Sequence, residues 1–140
     1  MRPTVTEQLR AIRRILNDVI VPEVNATYPT DILKNVLFNL QELEANWMRW
    51  TAHLEWENHQ LQQLALDARG RVGGSLQQEV DAATTLAPVD HFDYDGACAY
   101  NDALRLCVAE IIRSARSDAA LAGDAARITA VLKEGIQRRV

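Results

Sequence analysis

The sequence predicts an all-α protein: an up-down bundle of four or five helices built around one long central helix at about 31–69. Apolar residues recur every 3.5 residues from Leu33 to Leu64, which is typical of a helix packed against other helices. No proline or glycine interrupts 31–69, and no segment alternates between apolar and polar residues as a half-buried strand does. A chain of 140 residues has room for one hydrophobic core, so a single domain over 1–140 is expected.

The first helix is expected to begin at Thr4. Thr4 and Glu7 have the spacing of a capping box, in which each side chain binds the other residue's backbone N–H. Pro22 should end or bend this helix, because proline lacks an N–H and clashes with the preceding turn. Its apolar face comprises Leu9, Ile12, Leu16, Val19 and Ile20.

The central helix is expected to follow Thr30, a residue type suited to the N-cap. Such a helix would be about three times the usual globular length. We therefore expect it to protrude, to self-associate or to break near Thr51–His53. Its apolar stripe comprises Leu33, Leu40, Trp47, Leu54 and Leu61 in one register and Val36, Leu43, Trp50 and Leu64 in the other.

Glu57 is the single charged position in this stripe. Charged side chains are rarely buried without a partner, so we favour the interpretation that the stripe ends near Leu54 and that Glu57 is solvated. The alternative is that the stripe continues into a second partner. Trp47 and Trp50 lie on the stripe and are expected in the core, whereas Trp56 lies off it and is a candidate for an interface.

Three further helices are expected beyond the glycines at 70, 73 and 74, which should end the central helix. Ser75 and Gln78 have capping-box spacing and predict a short helix. A fourth helix fits 97–116. A fifth should begin after Asp124, which is a suitable N-cap residue.

The acidic loop at 90–96 partly resembles a calcium-binding loop, with Asp93 and Asp95 at the third and fifth positions when Gly96 is the sixth. His91 then stands where an aspartate is expected, and Asp102 replaces the bidentate glutamate. We favour the simpler interpretation, in which the aspartates cap the following helix.

Candidate site residues concentrate in one stretch of the central helix. His53 and Glu57 are one turn apart and are the candidate metal ligands, although no Glu-x-x-His motif of a carboxylate-bridged metal bundle occurs. Candidate ligand or interface residues are Trp47, Trp50, His53, Trp56 and Glu57. No cofactor motif and no nucleophile motif accompanies them, so we assign no catalytic residue, predict no cofactor and favour a non-catalytic role.

Charge and composition exclude two classes of partner. Residues 21–102 carry four basic and thirteen acidic side chains, which is unlike the concentrated basic face of a nucleic-acid-binding protein. No stretch of eighteen apolar residues suggests a membrane span, and no apolar leader is seen, so a cytoplasmic location is expected. Cys98 and Cys107 are nine residues apart in one expected helix and are predicted to stay unpaired.

The front of the chain resembles a family of small, uncharacterised, wholly helical bacterial proteins. The resemblance rests on the residues at 9–16 (LRAIRRIL), 21–24 (VPEV) and 35–44 (NVLFNLQELE). Members of that family are associated with aminoglycoside-phosphotransferase-like kinases and acyl-CoA dehydrogenases. The resemblance implies an accessory role and carries over no catalytic residue.

Together these observations predict a non-catalytic interaction or assembly protein that forms a homo-oligomer or binds a helical protein partner. The alternative is a bundle that binds a small ligand or metal in its core near His53, Glu57, Trp47 and Trp50.

Overall fold

The computed structural model describes residues 3–86 and 93–139, and every regular element within these ranges is helical. The all-α prediction and the long central helix are confirmed. The second helix runs without a break through 51–53. The α-helices are α1 (Val5–Ile15), α2 (Thr27–Ala68), α3 (Gly74–Thr85), α4 (Tyr94–Ser114) and α5 (Ala122–Arg139).

The packing divides the chain into two compact units, Met1–Arg49 and Trp50–Val140, and α2 contributes to both. The single domain over 1–140 stays a prediction. Within the described ranges, no helix has the length and apolar character needed to cross a membrane.

The first unit contains a helical hairpin made by α1 and residues 27–49 of α2. The predicted capping box is present: Thr4 Oγ1 accepts from the N–H of Glu7, and Glu7 accepts from the N–H of Thr4 at 2.7 Å. The chain then turns through a π-helical segment at Leu16–Ile20 and a 3-10 segment at Val21–Glu23. Pro22, which was expected to end or bend the first helix, lies in the 3-10 segment.

Side-chain contacts hold the hairpin together in an antiparallel arrangement. Trp47 Nε1 donates to Thr6 Oγ1 at 3.1 Å. One turn earlier on α2, Glu44 accepts from Arg10 at 2.8 Å and from Arg13 at 3.2 Å. These guanidinium groups lower the pKa of the Glu44 carboxyl, the hydrogen bond from Arg10 being the largest cause.

The hairpin has no buried core. No residue between 3 and 49 is fully buried, so the expectation that Trp47 lies in the core is wrong. Trp50, which begins the second unit and was also expected in the core, is 39% exposed. Val36 and Leu43 are 38% and 40% exposed, and Trp47 is only partly buried. The physical reason is that a single helix, α1, covers α2 here, and one neighbouring helix cannot enclose a stripe two registers wide.

The second unit contains the hydrophobic core. It is built from residues 50–68 of α2 together with α3, α4 and α5, and the stripe residues Leu61 and Leu64 are buried in it as predicted. The core comprises Leu61, Leu64, Ala65, Ala68, Val72, Val80, Ala83, Tyr100, Leu104, Cys107, Val108, Ile111, Leu121 and Ile128.

Each of the four helices beyond α1 begins a few residues before its predicted start. Helix α2 begins before Thr30, whose hydroxyl donates back to the carbonyl of Ala26 at 2.8 Å. Helix α3 begins at Gly74, so Ser75 lies inside the helix and the predicted capping box from Ser75 does not form.

The prediction of an aspartate cap on α4 is confirmed. Asp93 precedes the helix and its side chain accepts from the N–H of Gly96 at 2.8 Å. Residues 90–92 of the acidic loop, which include His91 at the first position of the calcium-loop comparison, lie outside the described residues. Residues 94–96 form the start of α4.

Asp124 forms an ion pair instead of capping α5, because that helix already begins at Ala122. The carboxylate is buried and accepts two hydrogen bonds from Arg71, at 2.8 and 2.6 Å, and one from Arg127 at 3.1 Å. The hydrogen bond from Arg71 is the main reason why the pKa of Asp124 is lowered. This pair ties the segment after α2 to the first turn of α5.

Candidate functional site

Glu57 is buried within the second unit, with 2% of its surface exposed. The favoured interpretation, that Glu57 is solvated beyond the end of the stripe, is therefore wrong. Arg105 on α4 donates to Glu57 Oε1 at 2.5 Å, and Asn101 on α4 donates to Glu57 Oε2 at 3.1 Å. A carboxylate tolerates burial when it is paired and hydrogen-bonded, and both conditions are met here.

Asn101 is the centre of this polar network. Its amide nitrogen donates to Glu57 and, at 2.8 Å, to Asn58; its carbonyl oxygen accepts from Arg105 Nε at 2.9 Å. Asn58 in turn donates to the backbone carbonyl of Ala97 at 3.0 Å. The network fixes the Asn101 side chain and links α2 to the first half of α4.

Residues of α5 approach the same region of α2. A Cβ at Gly135 would lie 3.4 Å from the Trp56 ring and 3.5 Å from Glu57 Oε1, so the glycine lets the α5 backbone come close. The Arg138 guanidinium lies over the Trp56 ring at 4.4 Å from its centroid, a cation–π contact. The His53 ring also lies near the Trp56 ring, and the two ring centroids are 5.6 Å apart.

A groove of about 330 Å³ lies between α2 and α4 next to this network. Its volume is at the lower end of the range found for small-molecule sites. Four lining residues come from one face of α4 and three from one face of α2. They are Trp50, His53, Leu54, Tyr94, Cys98, Asn101 and Asp102.

Two tyrosines near the start of α4 have a raised pKa. Burial raises the pKa of Tyr94, with a further contribution from neighbouring Cys98. Burial also raises the pKa of Tyr100, whose hydroxyl has no hydrogen-bond partner among the described residues. Cys98 and Cys107 are both free thiols, as predicted. The two phenols are therefore neutral near pH 7.

The structure brings four of the five candidate residues into one unit. Trp50 and His53 line the groove, Glu57 lies in the network beside it, and Trp56 contacts His53 and Arg138. Trp47 belongs to the first unit, where it bonds to Thr6. Among the described residues, no three His, Cys, Asp or Glu side chains form a cluster able to hold a metal ion.

Sequence reasoning missed Asn101 and Arg105. The signal was present, because Asn101 occupies the same helical stripe as the buried Leu104, Val108 and Ile111. A polar residue in that stripe of α4 is the counterpart of Glu57 in the stripe of α2.

No protein-family model, no curated protein and no solved structure matches this chain. The geometry of the two units is therefore what any functional proposal must rest on.

Proposed function

We propose that the protein is a non-catalytic assembly protein that forms a homodimer through one face of its N-terminal hairpin. The observation that carries the proposal is the contrast within residues 3–49: no side chain is fully buried, yet large apolar side chains are exposed on both helices. These are Val5, Ile12, Ile15, Val19, Ile20, Tyr28, Ile32, Val36, Phe38, Leu43 and Met48. Isolated exposed apolar residues are ordinary, but a contiguous patch of this kind marks an interaction surface.

The two sides of the hairpin can be distinguished by helical periodicity. One side carries a polar groove, to which α1 contributes Arg13 and Arg14 and α2 contributes Lys34 and Gln41. At 100° per residue, most of the exposed apolar side chains turn toward the opposite side. We name that side the apolar face, and define it by Val5, Ile12, Val19, Ile32, Val36 and Leu43.

The apolar face fits a second copy of the same chain. None of the six residues that define the apolar face is charged, whereas the opposite side carries arginine, lysine and aspartate. The apolar face therefore does not need a partner of opposite charge. Two identical apolar faces related by a two-fold axis are automatically complementary. Stacking two hairpins in this way would give each stripe the second layer of helices that it lacks.

The available area is at the lower limit for a specific dimer. Residues 5–20 are about 24 Å long at 1.5 Å per residue, and two adjacent helices are about 20 Å wide. The footprint is therefore about 480 Å² per copy, or close to 1,000 Å² in total, which is about the smallest area of a specific interface. Any contribution from the rest of α2 adds to this value.

The test is the native mass of two variants that differ only in which side of the hairpin they change. Val36→Glu places a charge on the apolar face, and Phe38→Glu places the same charge beside the polar groove, where Phe38 is 62% exposed. We expect the unmodified chain and Phe38→Glu to have twice the 15.7 kDa chain mass in light scattering, and Val36→Glu to have the mass of one chain. A dimer that survives Val36→Glu with unchanged helicity would contradict the proposal.

An accessory role beside a kinase or a dehydrogenase stays a prediction, as does the cytoplasmic location. The dimer does not depend on either of them.

A further inference from the structure

The groove between α2 and α4 has the chemistry of a site for a cation. Apart from His53, Asp102 is the one ionisable acid or base with a formal charge among the residues that line the groove. Neither lysine nor arginine lines the groove. Within the described residues, no lysine or arginine forms an ion pair with Asp102, which is exposed. The groove therefore presents one carboxylate without a protein counter-ion.

The buried ion pair beside the groove does not change this balance. Arg105 compensates the negative charge of Glu57, so the two together contribute no net charge. The Asn101 amide is also committed, since its nitrogen donates to Glu57 and Asn58 and its oxygen accepts from Arg105. An anion entering the groove would find no cationic lysine or arginine and no free amide donor, and would be repelled by Asp102.

Two aromatic side chains complete the arrangement. Trp50 and Tyr94 line the groove and are 39% and 49% exposed, so ring surface remains accessible beside Asp102. Aromatic faces attract cations, and indole is the strongest of them. The same protein already uses this interaction at Trp56, whose ring carries the Arg138 guanidinium at 4.4 Å.

We propose that the groove lined by Trp50, Tyr94 and Asp102 binds a small organic cation of the substituted-ammonium class. Such a ligand places its positive charge near the Asp102 carboxylate and its alkyl groups against Trp50, Tyr94 and Leu54. A groove of about 330 Å³ accommodates a small ligand of this type. The site lies wholly within the second unit, so it is independent of the proposed dimer.

The test compares choline with 3,3-dimethylbutan-1-ol, which has the same shape without the charge. Binding is followed in the full chain by NMR shifts of the indole N–H groups. We expect choline to shift the Trp50 signal and to bind at least about fivefold more tightly than the neutral alcohol, the factor expected of one carboxylate close to a cation in a solvated site.

Two matched variants locate the effect. Asp102→Asn should abolish the preference for choline over the alcohol, whereas Asp95→Asn should preserve it, because Asp95 lies on the same helix but does not line the groove. Absence of a choline-dependent shift, equal binding of the two compounds, or a preference that survives Asp102→Asn would each overturn the proposal. A preference shifted equally by both substitutions would also overturn it, since that would indicate attraction to the acidic end of α4 in general.

Discussion

Arg105 donates to Glu57 across 2.5 Å, and this bond joins a guanidinium that is 41% exposed to a carboxylate side chain that is 2% exposed. The cation thus stays in contact with solvent while the anion is enclosed. Burying a carboxylate is costly unless a counter-charge and hydrogen bonds accompany it, and Arg105 and Asn101 supply both. The pair specifies how α2 and α4 meet, because the charge is satisfied in this alignment of the two helices.

Removing the guanidinium should therefore destabilise the fold. We expect Arg105→Met, which keeps a long apolar side chain, to lower the free energy of unfolding by about 3 kcal/mol, since the buried carboxylate loses the ion pair and hydrogen bond from the Arg105 guanidinium. Urea denaturation measures the change. Adding Glu57→Gln should recover part of the loss, because a neutral amide needs no counter-charge. Strictly additive effects of the two substitutions would contradict this account of the pair.

The pair of Arg71 and Asp124 should make stability depend on pH in the acid range. The pKa of Asp124 is lowered from 3.8 in the folded state, chiefly by the hydrogen bond from Arg71. The stabilisation that ionised Asp124 gives to the folded state is therefore fully present above about pH 5. It is lost as the pH falls through the unfolded-state pKa toward the lower pKa of the folded state. We expect Asp124→Asn to reduce stability at neutral pH and to flatten the decrease below about pH 5.

Asp67→Asn is the matched control for this prediction. Asp67 accepts from Arg127 at 3.0 Å but its side chain is 50% exposed, and exposed pairs contribute about 0–1 kcal/mol. Thermal unfolding at a series of pH values measures both variants. An Asp124→Asn protein with an unchanged acid profile would show that the pair does not stabilise the fold.

Cys107 should be unreactive in the folded protein. Burial, helped by Glu79, raises the pKa of the thiol to about 11, so almost no thiolate is present at about pH 8. In a Cys98→Ser background, we expect a disulfide reagent to label Cys107 only after denaturation in urea. Rapid labelling of the native protein would mean that α4 separates from the core much more readily than its packing indicates.

Local signals in the sequence predicted the helices and some of their ends well. The capping box of Thr4 and Glu7 and the aspartate cap at Asp93 involve residues three positions apart, so the relevant chemistry is visible in the sequence itself. The prediction at Asp124 failed because α5 begins two residues earlier, at Ala122, and the carboxylate instead pairs with Arg71, which lies 53 residues away.

The burial of Glu57 could not be predicted from α2 alone. Its partners Asn101 and Arg105 lie 44 and 48 residues later in the chain. Likewise, periodicity identified the apolar side of α2 but not the number of helices covering it. Leu61 and Leu64 became core while Val36 and Leu43 stayed exposed, although all four belong to the same stripe.

The most direct test of the proposed assembly is sedimentation equilibrium of the unmodified protein over a wide concentration range, combined with hydrogen exchange of the backbone amides in 5–20. We predict a mass approaching twice 15.7 kDa at high concentration, and amide protection in 5–20 that falls as the dimer dissociates, because the hairpin has no buried core of its own. A mass of one chain at every concentration, with those amides still protected, would contradict the account.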